Sequence, residues 1–202
     1  FVINKLDAEN VHFEDLVKNL RDTFGKGCVL FNAPAGVGPK ISGVVSVLTP
    51  PGSAPAGCPV DLAAARSELV GAIVECDEAL TEKYLMEEPI SNDELLRVLP
   101  KALATGSVVP ILCTAAKKDL GVPELVDAIC QFALSPAQGK PRTAQAKSGE
   151  VKVEAKADAP FRAQVFKTLN DKFVGNLSFL RVLSGKITSD QALVNERSGI
   201  AG

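Results

Sequence analysis

Asn4, Lys5 and Asp7 follow the first apolar run of the chain, Phe1-Val2-Ile3, in the order Asn-Lys-x-Asp. A carboxylate held at a strand end can accept two adjacent donors at once, and guanine offers such a pair in its N1-H and exocyclic N2 amine. Asp7 stands where it can take that pair. Adenine presents no equivalent pair, so a carboxylate facing it stays unpaired, and this cost separates the two bases. Asn4 can brace the loop and approach the acceptor edge of the base, while Lys5 lays its aliphatic stem along one face and keeps its ammonium hydrated. The same residue types also fit an ordinary strand-to-helix turn, so the surrounding elements decide.

Those elements read as strand, loop and helix. Nucleotide sites in open α/β sheets lie at the carboxyl ends of strands, which is where Phe1 to Ile3 delivers the motif. Phe13, Leu16, Val17, Leu20 and Phe24 then recur at helical spacing, with Asn10 as the expected N-cap and Gly25 as the stop. A second such unit lies further along: Val108 to Cys113 is a β-branched apolar run, Thr114-Ala115-Ala116-Lys117 is its loop, and Leu125, Val126, Ile129 and Phe132 form a helical stripe. The loop is similar to the Ser-Ala-Lys or Ser-Ala-Leu loop of guanine-binding proteins. That likeness assigns Ala115, Ala116 and Lys117 to the base site, with the Ala116 N–H reaching guanine O6. Ala115 stands where Ser is usual, so a hydroxyl brace is expected to be missing and the loop to be looser.

Four blocks extend the likeness. They are Asn4-Lys5-Leu6-Asp7; Asp77 to Leu85; Lys117 to Val122 with Leu125 to Ala128; and Phe173 to Phe179 with Arg181-Val182 and Ser184-Gly185. In that order they resemble bacterial translation elongation factor G, over nearly the whole chain and most weakly at Pro50 to Pro59 and Gly139 to Asp158. The resemblance implies an α/β class: part of a P-loop GTPase fold with an inserted α+β subdomain, followed by a truncated β-barrel. Residues 1–138 would be the carboxyl-terminal part of a GTP-binding domain with the insertion at about 27–106, residues 139–158 a mobile linker, and 159–202 the first strands of the barrel.

Composition fits such a protein. The 202 residues are 46% hydrophobic, enough to bury a core across one or two domains. No apolar run approaches the roughly 18 residues of a membrane span, and no charged-then-apolar leader precedes the first strand, so a cytoplasmic location without membrane or DNA partners is expected. Cys28, Cys58, Cys76, Cys113 and Cys130 are odd in number and lack metal-type spacing, which reads as reduced thiols and no metal site. Residues 1–139 carry 11 basic and 18 acidic side chains, a balance of −7, and residues 140–202 carry 11 and 6, a balance of +5. Opposite charges suit different partners, with the basic part matched to a phosphate backbone.

Within the insertion, Val29 to Asn32 and Ile41 to Leu48 read as strands separated by the Gly/Pro-rich turn Ala33 to Pro39. One long helix is expected over Leu62 to Leu85, with Leu62, Ala65, Leu69, Ile73, Cys76 and Leu80 on its apolar side and Glu68, Glu75, Glu78 and Glu82 near one stripe of the other. A helix over Asn92 to Ala104 closes the insertion. The resemblance implies that this acidic stripe faces the basic stalk protein of the large ribosomal subunit. Further on, Phe161 to Phe166 and Leu177 to Leu183 read as strands joined through Asp171 to Gly175, and Ala192 to Gly202 enters another. The resemblance makes Lys172, Arg181 and Lys186 contacts to small-subunit ribosomal RNA, and leaves the partial barrel with open edges.

Catalysis needs more than this. GTP hydrolysis uses a phosphate-cradling loop, a Mg2+ ligand and a residue that orients water. No Gly-x-x-x-x-Gly-Lys-Ser/Thr occurs, the Gly-rich run Ala35 to Lys40 fits a turn, and His12 fits a helix surface. The resemblance implies that the intact parent is a GTP hydrolase using GTP or GDP with Mg2+ in messenger and transfer RNA movement. The 202 residues alone are expected to contain no catalytic residue and to hold no nucleotide tightly. Two other classes fit: a paralogue acting in ribosome recycling or protection from an antibiotic, and a free-standing, non-enzymatic protein-binding module.

Overall fold

The first apolar run folds as the short strand Val2–Ile3 (β1), and the chain then enters the helix Phe13–Phe24 (α1). The computed structural model describes residues 1–139, 142–146, 149–196 and 199–201, so residues 140, 141, 147 and 148 of the expected linker and 197, 198 and 202 of the last expected strand lie outside the described residues. His12, not Asn10, takes the N-cap position of α1, without a side-chain cap; Asn10 has a left-handed backbone (φ 58°) in the loop before it. Glu14 and Asp15 in the first turn suit the positive end of the helix dipole, and the Gly25 N–H closes the last turn on the Arg21 carbonyl. Of the expected apolar stripe, Phe13 and Val17 are buried, whereas Leu16 and Phe24 are exposed.

Cys28–Leu30 (β2) leads into an antiparallel hairpin of Asn32–Ala35 (β3) and Gly43–Ser46 (β4), with a 3-10 turn at Gly38–Lys40. Of the expected turn Ala33 to Pro39, Ala33, Pro34 and Ala35 instead pair in β3 with Val45, Val44 and Gly43, and the turn begins at Gly36. Leu62–Val74 (α2) and Glu78–Leu85 (α3) replace the single helix expected over 62–85. Asp77 makes the break: its backbone is extended (φ −143°, ψ 118°) and its carboxylate accepts from the Leu80 N–H, starting a new helix. Asn92–Thr105 (α4) begins with a capping box, in which the Ser91 side chain accepts from the Glu94 N–H and Glu94 accepts from the Ser91 N–H. Val109–Cys113 (β5) and Val122–Phe132 (α5) complete this part of the chain.

The sheet order is β1-β5-β2, all parallel, with β5 in the centre. Residues 27–106 therefore contribute β2 to the same sheet as the guanine-type motif. They also share its core: Leu69 and Ile73 of α2, Leu80 of α3, and Leu95 and Leu99 of α4 cluster with Leu6, Val29 and Ile111. Phe1–Leu134 forms one compact unit. On α5, Leu125 and Phe132 are half-buried, the latter edge-on to Phe31, but Val126 and Ile129 of the expected stripe are exposed.

The second unit runs from Ser135. Arg142–Ala146 (β6) and Gly149–Val153 (β7) pair as a hairpin inside the stretch expected to be a linker. Arg162–Asp171 (β8) and Gly175–Ser184 (β9) form a long antiparallel ribbon, and Val194–Asn195 (β10) pairs with Ile200–Ala201 (β11). These are separate two-stranded sheets, and among the described residues no barrel closes. The ribbon turn is held by Asp171, whose Oδ1 accepts from the Phe173 and Val174 N–H groups. Those two bonds hold its carboxyl below the usual range. Among the described residues no helix is long and apolar enough to cross a membrane, and no cluster of three or more His, Cys, Asp or Glu is placed to hold a metal.

Candidate functional site

The register of β1 on β5 places Val2 opposite Leu112 and Ile3 opposite Cys113. Both strands run the same way, so Asn4 and Thr114 leave their carboxyl ends side by side. Backbone bonds hold the two loops together: Thr114 N–H donates to the Ile3 carbonyl at 2.9 Å, and Leu6 N–H to the Thr114 carbonyl at 3.3 Å. Leu6, fully buried, anchors the first loop in the core. Its carbonyl accepts from the Gly38 N–H at 2.7 Å, so the Gly-rich turn buttresses this loop from the far side.

Asn4 lies at the centre. Its Oδ1 accepts from the Lys5 N–H at 2.7 Å, the Thr114 hydroxyl at 3.1 Å and the Ala116 N–H at 3.1 Å. The hydroxyl brace expected to be missing at Ala115 is therefore supplied one residue earlier, by Thr114. Ala115 is buried and its backbone exchanges two hydrogen bonds with Leu120, while Ala116, Lys117 and Lys118 form a 3-10 turn. Ala116 and Lys117 are exposed beside the motif, but the Ala116 N–H already has Asn4 as a partner.

Lys5 has a left-handed backbone (φ 61°) and an exposed side chain, so the loop bends sharply between Asn4 and Leu6. Asp7 is half-buried, and its carboxylate has no hydrogen-bond partner among the described residues. An unsatisfied carboxylate beside a braced carboxamide and an exposed cation can receive a planar ligand bearing paired N–H donors. Next to the site, the Cys113 thiol is buried and pushed up to about 12, which keeps it protonated.

The acidic residues separate. Glu75, Glu78 and Glu82 line one open groove with Asp77 and Lys101 at the break between α2 and α3. Glu68 is not with them: it forms an ion pair with Arg21 of α1 at 2.5 Å. In the second unit, Lys172, Arg181 and Lys186 are all exposed. Lys172 is in the ribbon turn and Lys186 lies past the other end of β9, about 30 Å of strand away, so they form a line and not a cluster.

No protein-family model matches the chain. An elongation factor G-like protein of Thermotoga maritima is 32% identical to it over 206 residues, an alignment that takes in 98% of this chain. The chain is elongation factor G-like. A solved structure from Thermus thermophilus aligns with 96% of it at a TM-score of 0.61 and 26% identity. This elongation factor G-like chain spans 30% of the first relative's length and 28% of the second's. The parallel sheet core and the strands of the second unit thus belong to an α/β arrangement shared with a solved structure. Sequence reasoning missed Thr114 because a lone Thr after a strand carries no signal until the neighbouring strand's register is known.

Proposed function

We propose that this chain is the guanine-reading portion of a translational GTPase of the elongation factor G type. The observation that carries the reading is the meeting of Asn4, in the loop that also carries Asp7, with Thr114 and Ala116 at adjacent strand ends. Asp7 takes guanine N1-H and N2-H, Lys5 covers one face of the base, and Asn4 approaches its acceptor edge. Guanine O6 takes the Ala116 N–H, sharing it with Asn4 or displacing it. Phosphate and Mg2+ contacts, and catalysis, come from a P-loop and associated residues that the 202 residues do not contain.

The whole protein then acts on the ribosome in the cytoplasm, moving messenger and transfer RNA with GTP hydrolysis. The groove of Glu75, Glu78 and Glu82 faces the basic stalk protein, and Lys172, Arg181 and Lys186 line up along small-subunit ribosomal RNA. Residues 1–138 belong to the GTP-binding domain and 159–202 to the barrel. Ala115, in place of the usual Ser, favours a second reading as a paralogue in recycling or ribosome protection. Complementation of a translocation-deficient strain by the full gene separates the two.

The guanine site is tested by Asp7→Asn in the full-length gene product. Loss of two hydrogen bonds to a charged acceptor should weaken GDP by roughly 100-fold, and xanthosine diphosphate, which offers a C2 carbonyl to the new amide donor, should gain. Equal GDP and ADP affinity in the unmodified protein, or an unchanged GDP affinity in the variant, overturns the reading.

A further inference from the structure

Asp7 is held through the peptide groups on either side of it. The Ala8 N–H donates to the Lys5 carbonyl at 3.0 Å, which closes a β-turn over Lys5 to Ala8 and fixes the Asp7–Ala8 peptide. The Leu6–Asp7 peptide is fixed from outside the loop, because the Leu6 carbonyl accepts from the Gly38 N–H at 2.7 Å. Peptide groups are planar, so pinning both leaves Asp7 one backbone conformation and one direction for its Cα–Cβ bond. Its carboxylate, which has no hydrogen-bond partner among the described residues, is aimed by these two bonds.

Gly38 meets the same loop at a second point. It is buried with a left-handed backbone (φ 65°), and a Cβ there would come 3.3 Å from the Ala8 carbonyl oxygen, tighter than ordinary van der Waals contact. Gly38 therefore lies against the residues on both sides of Asp7, and only the lack of a side chain permits that approach. It is anchored in turn: its carbonyl accepts at 3.1 Å from the N–H of Ile41, a core residue, within the turn that joins β3 to β4. That hairpin lies in residues 27–106, between the two loops of the base site.

We infer that Gly38 is a positioning residue: from within the insertion it fixes the Leu6–Asp7 peptide, and so sets the direction in which the Asp7 carboxylate meets the N1-H and N2-H donors of guanine. The inference rests on the guanine reading and adds to it a residue from outside both base-site loops. Base selectivity then depends on a hairpin of the insertion that does not itself touch the base.

The test uses the full-length gene product with GDP and inosine diphosphate, which keeps N1-H and O6 but lacks the N2 amine. Unmodified protein should prefer GDP by about 10-fold, the worth of one hydrogen bond to a charged acceptor. Gly38→Ala strains the left-handed backbone and pushes a methyl group against Ala8, and should cut that preference to about 2-fold. A merely structural role for Gly38 would weaken both nucleotides together, and an unchanged ratio in the folded variant overturns the inference. If thermal melting shows that the Ala variant does not fold, Gly38→Asn, which accepts a left-handed backbone more readily and carries the same Cβ, is read in the same way. A preference for GDP over ADP in the unmodified protein with an unchanged ratio in the variant defeats this inference alone. Equal GDP and ADP affinity defeats the underlying reading and this inference with it.

Discussion

Asn32 pairs with both backbone polar groups of Cys113: its Oδ1 accepts from the Cys113 N–H at 2.6 Å, and its Nδ2 donates to the Cys113 carbonyl at 3.4 Å. The carboxamide, 3% exposed, acts as one further rung beyond the β2–β5 ladder, which ends at Leu30 and Ile111. Cys113 is the last residue before the Thr114 loop, so a core asparagine fixes the strand end on which the site is built. Replacing it by leucine would bury an N–H and a carbonyl without partners.

Asn32→Leu is accordingly expected to destabilise the chain by about 2–4 kcal/mol in urea unfolding, with the slope unchanged. A loss under about 0.5 kcal/mol, the size of an ordinary surface substitution, would show that the rung is dispensable.

Gly121 ends the same loop with φ 74°, and a Cβ there would run into the Cys113 carbonyl oxygen and crowd Thr114 Cα and Val44. Gly121→Ala combines a left-handed backbone with a backbone clash, and should cost about 1–3 kcal/mol. Hydrogen exchange should quicken at the Ala115 and Leu120 amides, which bond across this loop. Unchanged exchange there would contradict the assignment.

Glu94 gives a pH signature. The hydrogen bond from Lys83, and then those from the Ser91 backbone and side chain, hold its carboxyl down at about 2 from the ordinary value of 4.5. A carboxyl depressed on folding contributes stability that is fully present above pH 4.5 and is lost as pH falls toward 2. The melting temperature should therefore decline across that window, and Glu94→Gln should flatten the decline while lowering stability at neutral pH. Parallel curves for the two proteins would exclude Glu94 as the source.

The acidic groove separates two uses of glutamate. Glu75→Lys, Glu78→Lys and Glu82→Lys together should weaken binding of the basic stalk protein to the full-length gene product, by about 10-fold or more in titration calorimetry at low salt. Glu68→Lys places like charge against Arg21, so it should lower the melting temperature and leave stalk-protein affinity unchanged. Affinity unmoved by the triple reversal would remove this face from the proposed function.

Much of the architecture was legible because local chemistry and periodicity agreed. Ser91 with Glu94 announces the start of α4, Gly25 ends α1, and the β-branched run before Thr114 is the central strand. The misreadings share a cause. Cys76 to Leu85 continues the apolar period of α2, but the Leu80 N–H donating to the Asp77 carboxylate outweighs that period and starts α3. In the same way, Arg142 to Val153 reads as linker by composition, yet its polar residues pair as β6 and β7 through backbone bonds that composition does not reveal.

The sequence by itself determined where the residues of the proposed purine site stand: Asn4, Lys5 and Asp7 follow the first apolar run in the order Asn-Lys-x-Asp. Tertiary structure decided what orients them. The Thr114 hydroxyl, the Asn32 rung and the Gly38 N–H lie 110, 81 and 32 residues from their partners Asn4, Cys113 and Leu6, and meet them only when parallel strands come into register. A hydrogen bond forms over about 3 Å and depends on angle, so no residue's type or spacing along the chain reveals it before the backbone has folded.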